Sequence, residues 1–334
     1  MEPLTHVRDI SRIAYGFMAS KALFASLNLE LFSRLSGQSK TLQALTQETA
    51  VTPNRLRTLL TACVSLGLII KDGENYRNAP ASEAYLVPGA PSYFGDYYRF
   101  QIDRQIYPQL TQLDAALQGD NVRPLYDLMA DEGEAEHFSR AQHAGSLGPA
   151  AVMAKMVDLT GCRQLLDVAG GSGAFSITFC QRYPEMSATI LDFPHVIEVA
   201  KRYVTEAGFE HQIDYIAGSA TEVVWPGEQD VVLMSYLLSG VSETDISACL
   251  AHAFRSLKPG GQVILHDFMI QDDHSGPTSA ALWFLPLLFN PGAVSLTPGW
   301  LSALLHQAGF RDISVQDLLP GLTKLVLAKK PPRR

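Results

Sequence analysis

Asp167 and Asp192 each sit near the end of an apolar run, Leu165-Leu166-Asp167-Val168 and Ile190-Leu191-Asp192, and the first run leads into Ala169-Gly170-Gly171-Ser172-Gly173. A strand, a glycine-rich turn, a helix and a second strand ending in a carboxylate form the opening of a nucleotide-type site at the carboxyl edge of a parallel sheet. The turn calls for glycine because backbone must come close to a ligand at angles that side chains disfavour. An ionised Asp192 is suited to accepting hydrogen bonds from two ribose hydroxyls.

A dinucleotide fold calls for G-x-G-x-x-G, the third glycine letting the helix pack under a pyrophosphate. Here Gly171-Ser172-Gly173 is followed by Ala174, Phe175 and Ser176, so that glycine is missing. The spacing fits D-x-G-x-G-x-G better, with Ala169 at the first glycine, a pattern suited to S-adenosylmethionine (SAM). SAM has no pyrophosphate, and its ammonium and carboxylate can meet Asp167 and the loop amides. The loop alone leaves NAD and SAM both open. Three later features favour SAM. Ser256-Leu257-Lys258-Pro259-Gly260-Gly261 joins a helix to the strand Gln262 to His266. Ile313-Ser314-Val315 and Lys324 to Ala328 flank Pro320-Gly321 as a terminal hairpin. Gly218-Ser219-Ala220 follows the third strand, where adenine is held.

The elements that carry these residues alternate from Gln164 onward: strands over Gln164–Val168, Ala188–Leu191, Ile213–Ile216, Asp230–Met234 and Val263–His266, with helices between. That order predicts an α/β, doubly wound, Rossmann-like parallel sheet with right-handed crossovers. Upstream, Val7 to Leu35 reads as helix with a broad apolar face. Thr41 to Thr49 and Pro53 to Leu66 form a helix–turn–helix pattern, and Gly67 to Arg77 a β-hairpin wing. A winged helix can bind DNA, but Asn54, Arg55 and Arg57 are thin for phosphate neutralisation in a chain of net charge −8. Three segments are expected: 1–100, a helical and winged-helix domain; 101–157, a helical connector; and 158–334, the nucleotide-binding domain. Asp131 to Glu136 is expected to be a solvated acidic loop, and Lys329 to Arg334 a disordered tail.

The chain's 334 residues allow one large or two modest domains, and its charged fraction of 18% is low enough for an extensive buried dimer surface. Cys63, Cys162, Cys180 and Cys249 show no C-x-x-C spacing and read as reduced thiols, and no metal is expected. With no signal peptide and no apolar run of the ~20 residues that span a bilayer, the expectation is a cytoplasmic protein without membrane or nucleic-acid partners.

On these motifs, and on Tyr183-Pro184-Glu185 and Asp192-Phe193-Pro194-His195-Val196-Ile197 above all, the chain resembles a known family over nearly its whole length. It is similar to the small-molecule methyltransferases related to plant caffeic-acid O-methyltransferase, bacterial antibiotic methyltransferases and the bacteriochlorophyll C-20 methyltransferase. The resemblance implies a homodimer formed through the N-terminal domain, SAM as cofactor and a small-molecule methyl acceptor. It implies SAM contacts from Asp167, Gly170, Gly171, Gly173, Asp192, Phe193, Ser219, Ala220 and Ser235. Acceptor contacts are implied for Arg140, Gln142, Tyr236, Phe268, Trp283, Phe289 and Asn290. Trp283, Phe284 and Phe289 also sit at helical spacing, which suits core packing.

The chain departs from the family where hydroxyl acceptors are deprotonated. Ser239, Gly240 and Val241 stand at the family's histidine, aspartate and tryptophan. Of two supporting acids, one matches Asp267 and the other, near Ser295, is absent. Ser219 stands where many relatives have aspartate, and Ser235 where plant members have lysine. A serine needs its own activator to act near neutral pH. Two expectations follow. The acceptor needs no base, which favours sulfur, nitrogen or carbon, with S-methylation of a methylthio-hydroxy acid as one candidate. Alternatively, O-methylation uses a substitute base: His143, His137 or His266, with His143 on a substrate-lining helix. A protein that binds SAM without transferring methyl is the reading of a different class. Asp267, His143 and Ser239 are therefore the candidate catalytic residues.

Overall fold

Apolar residues at helical spacing from Val7 onward produce α1 (Val7–Asn28) in the computed structural model, which describes residues 3–119, 132–290 and 292–332. The chain divides into two compact units after Gln105. In the first unit α2 (Leu42–Thr49) starts at Thr41, whose hydroxyl accepts the Ala44 amide at 3.2 Å. Pro53 opens α3 (Pro53–Ser65), where its missing N–H costs no helical bond. The wing is a three-stranded antiparallel sheet of β1 (Lys40–Thr41), β2 (Ile69–Asp72) and β3 (Asn75–Asn78) in the order β1-β3-β2. Leu31, Phe32, Leu45, Leu56, Leu60 and Cys63 form its core. In contrast, Val7, Ile10, Ile13 and Phe17 are exposed along one face of α1. Four apolar side chains at that spacing form a stripe that water does not favour.

The second unit is built on seven strands: β4 (Gln164–Val168), β5 (Ser187–Asp192), β6 (Ile213–Ala217), β7 (Gln229–Ser235), β8 (Leu257–Phe268), β9 (Arg311–Leu319) and β10 (Thr323–Lys329). Their order is β6-β5-β4-β7-β8-β10-β9. The first five are mutually parallel, and β10 pairs antiparallel with β8 and β9. The strand order reverses between β4 and β7, and this switch point opens a crevice at the carboxyl ends of the strands. The near-continuous apolar runs of β4 and β7 match burial on both faces. On one face lie α4 (Glu132–Met156), α5 (Ala174–Arg182) and α6 (Pro194–Ala207), which bury Met153, Phe179 and Val204. On the other lie α7 (Glu243–Ser256), α8 (Thr278–Leu287) and α9 (Pro298–Gln307), which bury Leu250, Ala280 and Leu305.

The structure changes three sequence expectations. Glu132 to Glu136 begins α4 and is not a loop; Asp131 lies outside the described residues. The anticipated disordered tail is paired as far as Lys330. Lys329 ends β10, Lys330 exchanges backbone hydrogen bonds with Gly260 and Gly261, and its ammonium reaches the Leu257 carbonyl at 2.6 Å. Residues 333–334 lie outside the description. The join before Gln262 is drawn into β8: Gln229 pairs with Leu257 but Val231 with Gln262, so Lys258 to Gly261 bulge out of the ladder. Within 101–157, Tyr107–Leu110, Leu113–Leu117 and Glu132–Met156 are helical, and 120–131 are not described. All four cysteines are free thiols. No helix among the described residues is long and apolar enough to cross a membrane.

Candidate active site

Asp167, the fourth residue of β4, carries its carboxylate under the glycine turn. Ser176, in the first turns of α5, donates its hydroxyl to Asp167 Oδ2 at 2.7 Å, while Oδ1 is buried with no hydrogen-bond partner among the described residues. The turn closes tightly over this group. A Cβ at Gly170 would lie 2.9 Å from Asp167 Cγ, and Gly173 takes φ +78°, so neither position tolerates a side chain without displacement. Ala169 takes φ +55°, an uncommon angle for alanine, and its N–H donates a hydrogen bond to the Leu191 carbonyl at 2.8 Å.

Asp192 ends the neighbouring strand β5. Its Oδ2 accepts the Gly171 amide at 2.8 Å and its Oδ1 accepts the Phe193 amide at 2.7 Å. The carboxylate thus ties the glycine turn to the next loop, and each oxygen keeps lone-pair capacity for another donor. Burial pushes the Asp167 carboxyl up to about 7 and raises that of Asp192, the latter opposed by the two amides. Neither acid has a Lys or Arg ion-pair partner among the described residues. A buried acidic pair with one orphaned oxygen is a site for a cationic, hydroxyl-rich ligand. An ammonium for Asp167 and ribose hydroxyls for Asp192 meet both needs, so this donor set fits SAM.

The other residues expected at SAM are placed as follows. Phe193 has an exposed ring stacked near His195. The Ser219 hydroxyl pairs with Thr221 at 2.9 Å, and the Ala220 carbonyl accepts the Trp225 indole at 2.8 Å, so the loop after β6 is internally braced. Ser235 at the end of β7 is bonded through its hydroxyl to His266 Nδ1 at 2.8 Å. His266 is buried, packs against Tyr236 and Phe175, and is pushed down to about 3 by desolvation. It is a neutral structural imidazole on the opposite face of β8 from Asp267, as the alternation of strand side chains implies.

His143 projects from α4 to the glycine turn. Its Nδ1 lies 2.9 Å from the Ser172 hydroxyl, and its ring stacks on Tyr203 of α6 at 3.7 Å between centroids. Desolvation holds it at about 4, so at neutral pH it is a weak proton acceptor with one nitrogen already engaged. Gln142 beside it is half-buried, and Arg140 is exposed.

Beyond β7 the chain turns sharply. Tyr236 takes φ +57°, and Leu238 to Gly240 form a single 3-10 turn. The Ser239 amide donates to Asp267 Oδ2 at 3.0 Å, and the Phe268 amide to Oδ1 at 2.8 Å. Burial outweighs these hydrogen bonds and lifts the carboxyl to about 6. Tyr236, Phe268 and Trp283 form a row of rings, 5.1 and 4.4 Å between successive centroids. Phe284 and Phe289 are buried as core. Asn290, after α8, is 6% exposed, and neither its amide nitrogen nor its oxygen has a partner among the described residues. Pro291 lies outside the described residues.

Sequence reading did not single out Ser176, Ser172, Tyr203 or Trp225. Ser176 stands at the helix start after the glycine turn, where a hydroxyl can reach back to the strand, and that position was the available signal. The Tyr203 stack joins residues far apart in the chain and has no local signature.

Comparisons with known proteins agree with this geometry. Residues 121–311 match the O-methyltransferase domain and residues 11–88 the O-methyltransferase dimerisation domain. The chain is 31% identical over 327 residues to 3-hydroxy-5-methyl-1-naphthoate 3-O-methyltransferase of Streptomyces sahachiroi, covering 96% of this chain and 94% of that protein. It is 28% identical to the tetracenomycin polyketide synthesis 8-O-methyl transferase of Streptomyces glaucescens, covering 99% and 100%. The crystal structure of human N-acetylserotonin methyltransferase in complex with SAM superposes with a TM-score of 0.87 at 26% identity, over 99% of this chain and 100% of that one. With the glycine turn, the two acids and the switch-point crevice, these matches show that the chain belongs to the O-methyltransferase family and is a SAM-dependent methyltransferase of small molecules.

Proposed function

We propose that this enzyme methylates a hydroxyl on a small aromatic metabolite, with Asp167 and Asp192 holding SAM and Asn290 orienting the acceptor. The observation that carries the acceptor site is the Asn290 side-chain amide: two buried polar atoms without partners among the described residues, shortly after the helix that brings Trp283 into a row of aromatic rings. An unbonded buried amide is costly unless a ligand supplies its hydrogen bonds. Rings at Tyr236, Phe268 and Trp283 suit a flat acceptor. Relatives named for a naphthoate and a tetracenomycin oxygen support the hydroxyl. When bound, SAM supplies an electrophilic methyl group. The protein's part is to hold the acceptor in line with it and exclude water. His143 serves here by bracing the glycine turn through Ser172.

The competing reading is a neutral sulfur, nitrogen or carbon acceptor, including kinship with bacteriochlorophyll C-20 and methylthio-hydroxy acid S-methyltransferases. It rests on Ser239 standing where an imidazole would be. Incubation with SAM and a panel of hydroxynaphthoates, aryl thioethers and arylamines, followed by mass spectrometry of the products, separates the two. The expected product is a methyl ether. Transfer only to sulfur, nitrogen or carbon, with kcat/KM flat from about pH 6 to 9, would replace this proposal. Asn290→Leu should raise KM for the naphthoate about tenfold, the worth of roughly one hydrogen bond, and leave SAM affinity unchanged.

The exposed stripe Val7, Ile10, Ile13 and Phe17 is proposed to be covered by a second copy of the chain. Sedimentation should give a dimer, and Ile13→Asp combined with Phe17→Asp should give folded monomer. Free thiols at all four cysteines fit a reducing, cytoplasmic setting.

A further inference from the structure

Ser172 is the one residue with a side chain between Gly170 and Gly173, and it is buried. The glycines on either side of it, Gly171 at φ +59° and Gly173 at φ +78°, give this part of the turn little steric hold of its own. Two hydrogen bonds supply that hold. On one side the Gly171 amide is fixed to Asp192 Oδ2 at 2.8 Å, just before α6 begins at Pro194. On the other, the Ser172 hydroxyl lies 2.9 Å from His143 Nδ1 on α4. The His143 ring is itself held: it stacks on Tyr203 of α6, 3.7 Å between centroids and 10° from parallel. A stack fixes the ring plane, and the plane decides whether Nδ1 can lie along the Ser172 hydroxyl. Desolvation keeps the imidazole neutral, so each ring nitrogen is either a donor or a lone pair, and a hydroxyl complements either one. The chain of contacts Asp192, Gly171, Ser172, His143, Tyr203 therefore starts at the residue pair before α6 and closes on α6, which packs against both α4 and α5.

We infer that Tyr203, His143 and Ser172 are positioning residues that set the SAM affinity of the glycine turn, by holding it in its binding shape before the cofactor arrives. The inference rests on SAM being held at this turn by Asp167 and Asp192, and it extends the role of His143 to a cluster that closes on α6. None of the three residues needs to touch the cofactor. Ordering a glycine-flanked segment costs conformational entropy. A turn already ordered by the brace does not incur that cost on binding, so affinity is higher for the same contacts. The same geometry separates His143 from the role of base. A base must reach the acceptor hydroxyl, whereas Nδ1 is engaged by Ser172 and the ring face by Tyr203.

The test uses the full-length enzyme and isothermal titration with S-adenosylhomocysteine, so no acceptor is needed. Ser172→Ala removes the hydrogen bond from one side. His143→Phe removes it from the other and keeps a ring against Tyr203. Each should weaken binding about tenfold, near the worth of one hydrogen bond. The double variant should also lose about tenfold and not about 100-fold, because the second substitution finds its partner already gone. His143→Asn places an amide where Nδ1 stood and should bind within about threefold of the wild type, the rescue expected of a residue that acts through this one bond. Tyr203→Leu should weaken binding more than Tyr203→Phe, which keeps the stack. If His143→Phe does not fold, Ser172→Ala and His143→Asn carry the same comparison. A second readout needs no ligand: the nitrogen NMR signal of His143 Nδ1, identified by its loss in His143→Phe, should shift in Ser172→Ala. Wild-type affinity in Ser172→Ala and His143→Phe overturns the brace. So does a double variant weakened about 100-fold, which would mean separate contacts with the ligand, and so does a signal unmoved by Ser172→Ala. A loss of affinity in Asp167→Asn but in neither brace variant leaves the cofactor site standing without the brace. Wild-type affinity in Asp167→Asn as well removes the turn as the cofactor site, and the brace with it.

Discussion

Asp167→Asn is expected to weaken SAM binding about 100-fold at pH 7.5 and to abolish most of its dependence on pH. A hydrogen bond to a charged partner contributes about 1.5–3 kcal/mol, and the burial of this carboxylate keeps water from screening it. The pH signature follows from the same burial. In the free protein the Asp167 carboxyl is pushed up to about 7, so below that pH it is mostly protonated and cannot pair with an ammonium. A cation bound beside it favours the ionised form and pulls its pKa down, so binding releases a proton. Affinity of the wild type should therefore rise about tenfold from pH 6 to 7.5, because one ionisation is being removed from the cost of binding. Isothermal titration with S-adenosylhomocysteine, which retains the amino acid end, measures this in buffers of different ionisation heat. The wild type should release protons on binding and Asp167→Asn should not. Equal affinity in the variant, or a flat wild-type profile, would remove Asp167 from the site.

This behaviour could be anticipated from the sequence only in outline. The alternation of apolar runs and helices after Gln164 foretold the parallel sheet because strands buried on both faces have apolar centres, as Leu165-Leu166 in β4 and Val231 to Met234 in β7 do, with polar residues kept mostly to the strand ends. The glycine turn and its two acids were legible because local backbone geometry dictates residue type there. The bulge before Gln262 was not, because the glycines that allow a turn also allow an irregular strand, and only pairing with β7 decides between them. The paired tail was missed for a related reason: Lys330 is ordered by partners in β8, far away in sequence. Polar residues of the site divided along the same line. Asp167 and Asp192 act through their own strand ends. His143 takes its character from Ser172 and Tyr203, and Ser239 from Asp267, contacts that no spacing in the chain announces.

Asp192→Ala should weaken SAM binding by about 1.5–3 kcal/mol, roughly 10- to 150-fold, as expected for the loss of charged hydrogen bonds. Two losses combine in this variant. The ribose hydroxyls lose their acceptor, and the amides of Gly171 and Phe193 lose the carboxylate that ties the glycine turn to the following loop. Asp192→Asn separates the two. Its amide oxygen can still accept from one backbone N–H, but it presents an N–H₂ where the second amide and a ribose hydroxyl require an acceptor. If the carboxylate mainly anchors the loop, both variants should lower the melting temperature of the free protein, and the binding defect should be the same for SAM and for its 2′-deoxyribose analogue. If it mainly holds ribose, the free protein should melt within a few degrees of the wild type, and the wild type alone should discriminate against the deoxy analogue. The second result is expected. Asp192 is raised by burial, so its ionised form is held at a cost that two amides only partly offset, and a ligand hydroxyl supplies the missing donor. Differential scanning fluorimetry of the three proteins, with and without each nucleoside, decides between them.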